Sequence, residues 1–239
     1  MRRPATAAAK GPSPDALLAL VEGSRGGVSA TPPRAAVERE VDALVASASV
    51  PGAGAGAGAG GSMRPGVFRP GRRKGLVSGT NGDMLSGCWR LAWTSERETL
   101  WLLDKGIPLT RLVAGESYQT IDVGARTLSN VIEFCEAGVG GPSTAAFVVD
   151  AELAPEAPSV SAGRRCTFSF TSARFVTRDG TRVVRFPPFG RGWFDTVFLE
   201  PPQQRGGGGL RVARDSRGDT LVTERQPPGR VDAWWDAVR

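Results

Sequence analysis

The sequence contains no histidine among its 239 residues. That absence excludes Ser-His-Asp and Cys-His catalysis, histidine zinc sites and imidazole acid–base chemistry. No apolar run reaches the length of about 18 residues that a membrane-spanning helix needs, and no secretory signal core is present. We therefore expect neither a spanning helix nor a secreted protein.

Cysteine is also scarce. Cys88, Cys135 and Cys166 lie far apart, form no Cys-x-x-Cys pair and are odd in number. The sequence thus predicts free, mostly buried thiols in a reducing compartment, with a redox-sensing disulfide between two of them as the alternative. The Gly-rich tracts at 52–61 and 206–209 are not followed by Gly-Lys-Ser/Thr, so no phosphate cradle and no cofactor are expected.

The positive charge is concentrated in the first third of the chain. Residues 1–82 hold 11 basic and 5 acidic residues, whereas residues 83–239 hold 19 of each. A basic run in the first part comprises Arg64, Arg69, Arg72, Arg73 and Lys74. Near an anionic bilayer each such residue contributes about 1 kcal/mol, so a membrane-surface contact is one interpretation and a solvated linker the other. Phe68 is the single aromatic residue in the run, which disfavours a nucleic-acid partner.

Composition and hydrophobic periodicity divide the chain into five predicted segments. These are a residual targeting or disordered segment (1–12), a helical pair (13–50), a disordered Gly/Ala-rich basic linker (51–82), a β-rich domain (83–225) and a C-terminal tail (226–239).

Two helices are predicted before the linker. Ser13 can cap the first, with Pro14 at its first position. The second is predicted to begin at Thr31 and carries an apolar stripe of Val37, Val41, Leu44 and Val45. We expect this stripe to pack on the β-rich domain; contact with a membrane or partner is the alternative.

From Met84 onward, alternating residues predict nine strands in some 140 residues. That density favours a mainly β protein, an antiparallel barrel of about eight strands. Strict alternation would place Trp89, Leu91 and Trp93 on one face of a strand, and Trp193, Val197 and Leu199 on one face of another. Between the strands, a Ser-x-x-Glu capping box over residues 95–98 predicts a short helix whose tryptophan plugs the barrel mouth or meets a ligand.

Three segments resemble the plastid lipid-associated proteins, or fibrillins. Residues 85–95 are similar to the family's Leu-x-Gly-x-Trp-x-Leu-x-Tyr-Thr-Ser opening, which is itself similar to the Gly-x-Trp of lipocalins. Residues 118–122 with 130–131 resemble its Tyr-Gln-x-Ile-Asp and Asn-x-Val pattern, and residues 192–214 resemble its closing strands. The likeness covers roughly residues 13–50 and 83–225, although Phe198, Glu200 and an insertion over 201–209 depart from the family pattern.

The resemblance implies a lipocalin-like barrel preceded by the helical pair. It further implies a non-enzymatic plastid protein that binds or coats prenylquinones, carotenoids or acyl lipids at plastoglobules or thylakoids, or in the stroma. One alternative is a scaffold that binds a prenyl-lipid enzyme. Another is an enzyme acting on a plastid lipid, with strand carboxylates Asp122, Glu133, Asp195 and Glu200 as candidate groups.

The candidate ligand-binding residues are aromatic side chains in or beside the predicted strands. They are Trp93, Trp101, Tyr118, Phe134, Phe168, Phe170 and Trp193. By resemblance to lipocalins, Gly87 and Trp89 would form the barrel floor, with Arg211 stacked on the indole of Trp89 through a cation–π interaction. Alternation does not say which strand face lines the lumen.

Overall fold

The computed structural model describes residues 11–48, 84–107, 110–139, 141–154, 165–187, 190–200 and 208–236. The predicted linker, including the basic run from Arg64 to Lys74, lies outside them. The helices with both ends inside these residues are α1 (Pro14–Val21), α2 (Arg34–Ala48) and α3 (Arg97–Lys105), and a 3-10 turn covers Trp234–Asp236. In the described part of the chain, no helix combines the length and apolar character needed to cross a bilayer.

Within the described ranges, nine strands form one antiparallel sheet, which confirms the prediction of a mainly β protein. They are β1 (Gly87–Thr94), β2 (Leu112–Asp122), β3 (Thr127–Glu136), β4 (Ala145–Leu153), β5 (Arg165–Thr177), β6 (Val183–Phe186), β7 (Arg191–Leu199), β8 (Leu210–Asp215) and β9 (Thr220–Arg225). Their order is β4-β3-β2-β1-β9-β8-β7-β5-β6, and β4 also pairs with β5. Eight strands therefore form a closed circuit of neighbours, to which β6 is added beside β5.

The helical pair follows the prediction except at one boundary. Ser13 Oγ accepts a hydrogen bond from the Ala16 amide at 3.2 Å, and Pro14 is the first residue of α1. The second helix begins at Arg34 rather than at Thr31. Pro32 precedes another proline, and that position disfavours helical backbone angles. Pro33 comes directly before the helix, and its carbonyl oxygen accepts a hydrogen bond from the Ala36 amide at 2.8 Å.

The two helices pack against one face of the sheet. Leu17, Val37 and Val41 are fully buried and share a cluster with Trp93 and Val212. The predicted packing of the α2 stripe on the β-rich domain is confirmed.

Two β-bulges change which face several strand residues occupy. In β1, Leu91 is opposite Thr223 and Trp93 is opposite Val222, so Ala92 is an extra residue. Because successive side chains alternate, one extra residue moves the next side chain to the other face. The prediction that Trp89 and Trp93 share a face is therefore wrong: Trp89 packs inside the circuit and Trp93 packs on the helices.

The second bulge lies in β7, between Thr196 and Phe198. Val197 is the extra residue, and it packs with the helix-facing cluster. Leu199 packs instead with the cluster that contains Phe194. The predicted common face for Trp193, Val197 and Leu199 is wrong for the same reason as in β1.

The short helix between β1 and β2 is confirmed, but its predicted capping box is wrong. The helix begins at Arg97, and its N-cap residue Glu96 makes no side-chain cap. Ser95 Oγ donates instead to Asp219 Oδ1 at 2.9 Å and accepts the Thr220 amide at 3.0 Å. The serine thus ties the end of β1 to the β8–β9 turn.

The segment expected to be a C-terminal tail packs against the sheet as far as it is described. Trp235 is fully buried among Val131, Val148 and Val176, which are outward-facing apolar residues of three strands. Its ring stacks on Tyr118 with centroids 5.7 Å apart. This contact covers apolar surface that the strands would otherwise expose.

All three cysteines are free and half-buried, which confirms the expected free thiols. Burial, reinforced by the nearby carboxylates of Asp236 and Glu133, raises the pKa of Cys88 to about 11. Burial also raises the pKa of Cys135 and of Cys166. These thiols are protonated at neutral pH and are therefore poor nucleophiles.

Candidate functional site

A cavity of about 230 Å³ lies on the inner face of the strand circuit. Its wall is largely aromatic and aliphatic, because the inward positions of the strands carry large apolar side chains. The aromatic lining residues are Trp89, Tyr118, Phe147, Phe168, Phe170 and Phe194. Most of the exposed wall is apolar, and the polar lining residues include Gln119, Asn130, Arg211 and Thr223. A mostly apolar pocket with placed polar groups is typical of a small-molecule site.

One end of the cavity is bordered by α3 and by the β8–β9 turn. Glu96, Glu98 and Asp215 contribute to the lining there. Arg217 contacts all three, at 2.5 Å, 2.9 Å and 3.3 Å respectively. Burial raises the pKa of Glu96, and the hydrogen bond from Thr99 and the charge of Arg217 oppose that shift. The acidic groups at this end are therefore paired with a cation that belongs to the same turn.

Three of the predicted ligand-binding residues border the cavity. Phe168 and Phe170 line it, and their rings meet edge to face with centroids 5.2 Å apart. Tyr118 also borders it, although its ring stacks on Trp235. These two phenylalanines thus remain the best-placed of the sequence candidates.

The other four predicted residues lie away from the cavity. The bulge at Ala92 turns Trp93 toward the helices, and Trp101 is 52% exposed on α3. Phe134 is fully buried in a separate cluster beside Phe175. Trp193 lies under the guanidinium of Arg165, whose carbon is 3.6 Å from the ring centroid.

The predicted floor of the circuit contains Gly87 and Trp89, but its nearest cation differs from the expected one. Trp89 is fully buried, and its Nε1 donates to the Leu85 carbonyl at 2.9 Å. The Arg225 guanidinium is 4.5 Å from the indole centroid, compared with 5.9 Å for Arg211. Arg225 also donates to the Ser86 carbonyl at 2.7 Å. Arg211 therefore lies over the Trp89 ring as the resemblance implied, and Arg225 is a second, closer cation.

Gly87 has a backbone conformation that favours glycine, and we expect its substitution to destabilise the floor. Its φ is +147°, and a Cβ there would lie 2.5 Å from Nη1 of Arg225. We expect Gly87→Ala to lower the free energy of unfolding by about 1–3 kcal/mol, because it adds backbone strain and displaces the guanidinium. Urea denaturation would measure this loss. Gly11→Ala is the control, since a Cβ at Gly11 has nothing within 4 Å; equal stability of the two variants would contradict the role of Gly87.

Arg211 occupies an unusual position in the lining. It is 1% exposed, and its Nη1 donates to Gln119 Oε1 at 2.6 Å. Nε donates to Thr196 Oγ1 at 3.4 Å, whereas Nη2 is buried and has no hydrogen-bond partner in the part of the chain that the structure describes. Desolvation lowers the pKa of Arg211 to about 10, so the side chain remains charged at neutral pH. Among the described residues, no carboxylate forms an ion pair with it.

The model of the PAP_fibrillin family matches residues 74–224 of the chain. The chain belongs to the PAP_fibrillin family. The resemblance inferred from the three motif segments is thereby confirmed. The family match contains all of the strand circuit except the last residue of β9; it does not extend to α1, α2 or the C-terminal Trp235.

Two relatives from Arabidopsis thaliana are similar to this family member. Probable plastid-lipid-associated protein 11, chloroplastic, is 38% identical over 153 residues, which are 64% of this chain and 62% of the relative. Probable plastid-lipid-associated protein 12, chloroplastic, is 28% identical over 168 residues, or 64% of this chain and 36% of the relative. The chain thus spans less than two thirds of the length of either relative. No solved structure matches it significantly.

Sequence reasoning missed Gln119 and Arg225. Gln119 belongs to the Tyr-Gln-x-Ile-Asp motif, but no role was predicted for it. Its side-chain oxygen accepts a hydrogen bond from Arg211. Arg225 ends β9 directly opposite Trp89, a register that is set by the pairing of distant strands. The arginine at the end of the alternating segment 220–225 is the one sequence feature that could have pointed to Arg225.

Proposed function

We propose that this protein binds a hydrophobic molecule inside a lipocalin-like barrel formed by the eight-stranded circuit. The observation that carries the proposal is the cavity of about 230 Å³ on the inner face, with its six aromatic lining residues. The extra pairing of β4 with β5 supports the barrel, because it joins the two ends of the strand order. A pocket inside a small barrel can hold one small ligand.

Binding would be driven by burial of the ligand. Each CH₂ group removed from water contributes about 0.8 kcal/mol, so an apolar chain needs few directed contacts. Aromatic rings such as those of Phe168 and Phe170 offer such a chain a wide apolar surface.

The names of the two relatives support a plastid location and lipid association for this chain. We place it in the chloroplast, in contact with lipids or hydrophobic small molecules. Plastoglobule and thylakoid surfaces and the stroma are the proposed sites within the plastid, and prenylquinones, carotenoids and acyl lipids are the ligand classes that the family resemblance implies.

We further propose that the protein acts without catalysis. The strand carboxylates that could serve as acid and base lie outside the cavity lining and have structural contacts: Asp122 accepts the Ala125 amide, Glu133 accepts Ser143, Asp195 pairs with Arg165 and Glu200 accepts the Leu210 amide. The carboxylates that do line the cavity are engaged with Arg217. This arrangement favours a carrier over an enzyme that acts on a bound lipid.

A pocket-filling substitution tests the carrier proposal. Val149 lines the cavity, so we expect Val149→Trp to occupy it and to reduce bound lipid at least tenfold. The measurement is mass spectrometry of the organic extract from protein purified without detergent. Val139→Trp is the matched control, because Val139 is 59% exposed in the loop after β3. A defined lipid at near one-to-one ratio in wild type and control, but not in Val149→Trp, is the expected result.

The scaffold function is the second candidate, and the exposed Trp101 favours it. Tryptophan is enriched at protein–protein interfaces, and Trp101 is 52% exposed. A scaffold for a prenyl-lipid enzyme would co-purify with that enzyme and yield no lipid above the Val149→Trp background. That outcome would overturn the carrier proposal, and loss of the enzyme in Trp101→Ala would support the scaffold.

A further inference from the structure

Resting on the proposed carrier function, we infer that the ligand is a single-chain fatty acid whose carboxylate is bound by Arg211. Arg211 carries a buried charge that no carboxylate among the described residues balances. It is 1% exposed and lines the cavity, and its Nη2 has no hydrogen-bond partner among those residues.

Burying an ionised group is costly unless it is paired and hydrogen-bonded. The two described side chains that hydrogen-bond to the guanidinium, Gln119 and Thr196, are both uncharged. Asn130 accepts from Gln119 Nε2 at 2.9 Å, which directs the other amide atom, Oε1, toward Arg211. The surroundings thus fix the orientation of the cation without neutralising it, and a ligand carboxylate would complete the pair.

A purely structural role for Arg211 is already filled by another residue. Arg225 is the cation closest to Trp89, and it donates a hydrogen bond to the carbonyl of Ser86, the residue just before β1. The Arg211 guanidinium lies closer to the Phe194 ring, at 4.7 Å, than to that of Trp89. Closing the floor therefore does not require a second arginine, and the polar end of Arg211 remains available to the cavity.

The rest of the pocket suits one acyl chain. Its volume of about 230 Å³ is below the range of about 300–1,000 Å³ that is usual for ligand pockets. That size favours a single chain over a two-chain lipid, a carotenoid or a ring-bearing prenylquinone. The other charged lining groups, Glu96, Glu98 and Asp215, are carboxylates that share Arg217 as a partner. Arg211 is the one cation in the cavity lining as described, and a single guanidinium matches one carboxylate better than a doubly charged phosphate.

The test compares two ten-carbon probes on the wild-type protein. Decanoate and 1-decanol share the same chain and differ in the charged head, since a carboxylic acid is ionised at pH 7. We expect decanoate to bind about tenfold or more tightly, as measured by isothermal titration calorimetry, because hydrogen bonds to charged groups are the stronger class. Equal affinity, or tighter binding of decanol, would overturn the inference.

A substitution tests whether the preference for decanoate over decanol depends on Arg211. Arg211→Gln should bind the two probes with similar affinity, whereas the control Arg165→Gln should keep the preference for decanoate. Arg165 pairs with Asp195 and Trp193 and does not line the cavity. Circular dichroism and thermal unfolding would establish that both variants fold; the wild-type comparison decides the question if Arg211→Gln does not. A decanoate preference that persists in folded Arg211→Gln would also overturn the inference.

The outcomes separate this inference from the carrier proposal on which it rests. Equal binding of both probes, with loss of both in Val149→Trp, would remove the fatty acid and retain the carrier. Failure of both probes to bind the wild-type protein would contradict the fatty acid inference and count against the carrier as well.

Discussion

Replacing Trp235 with alanine should lower the free energy of unfolding by about 3–5 kcal/mol, the cost of removing a large buried aromatic side chain. The indole is fully buried among the outward-facing residues Val131, Val148 and Val176. Its loss would leave a cavity at the sheet surface and remove the stacking contact with Tyr118. Chemical denaturation followed by circular dichroism would measure the change.

Trp101→Ala is the matched control for this substitution. The same side chain is removed, but from a position that is 52% exposed. We expect a change within about 0.5 kcal/mol, as is usual for exposed sites. If Trp235→Ala were as stable as Trp101→Ala, the C-terminal segment would not be part of the folded domain in solution.

The second large effect is expected at Trp89. Trp89→Ala should also cost about 3–5 kcal/mol. The substitution leaves the Leu85 carbonyl without its indole donor and removes the ring beneath Arg225. A thermal unfolding midpoint well below that of the wild type would be the direct observation.

Trp193→Ala provides the comparison for Trp89, since Trp193 is a half-buried residue on β7 that also contacts an arginine. We expect the smaller loss there. Combining Trp89→Ala with Arg225→Met should cost less than the sum of the two single changes, because the residues are in contact. Strict additivity would show that Arg225 does not stabilise the floor through Trp89.

The strands were predictable because alternation is a local property of the chain. All nine segments with alternating residues form strands, and Phe168 and Phe170 line the cavity as expected. The faces of β1 and β7 were not predictable, since each contains one extra residue. A bulge depends on how a strand meets its neighbour, and Ala92 and Val197 carry no local feature that marks them.

In the candidate site too, local motifs were predictable and contacts between distant strands were not. Gly87 and Trp89 could be found from a short motif, whereas the pairing of Trp89 with Arg225 depends on the register of β1 against β9. Trp235 was missed because the segment around it has no hydrophobic periodicity. The role of Arg211 became visible only when its burial and its uncharged neighbours could be seen together.

Strand β6 lies outside the closed circuit, and its free edge is where self-association can occur. In the described part of the sheet, β6 has a paired neighbour, β5, on one side. Its other side offers backbone groups to which a strand from another molecule can add. Val184 and Phe186 are exposed there, and Arg185 between them supplies a charge that opposes such stacking. Aggregation by strand addition would therefore begin at β6, and it would leave the closed circuit around the cavity intact.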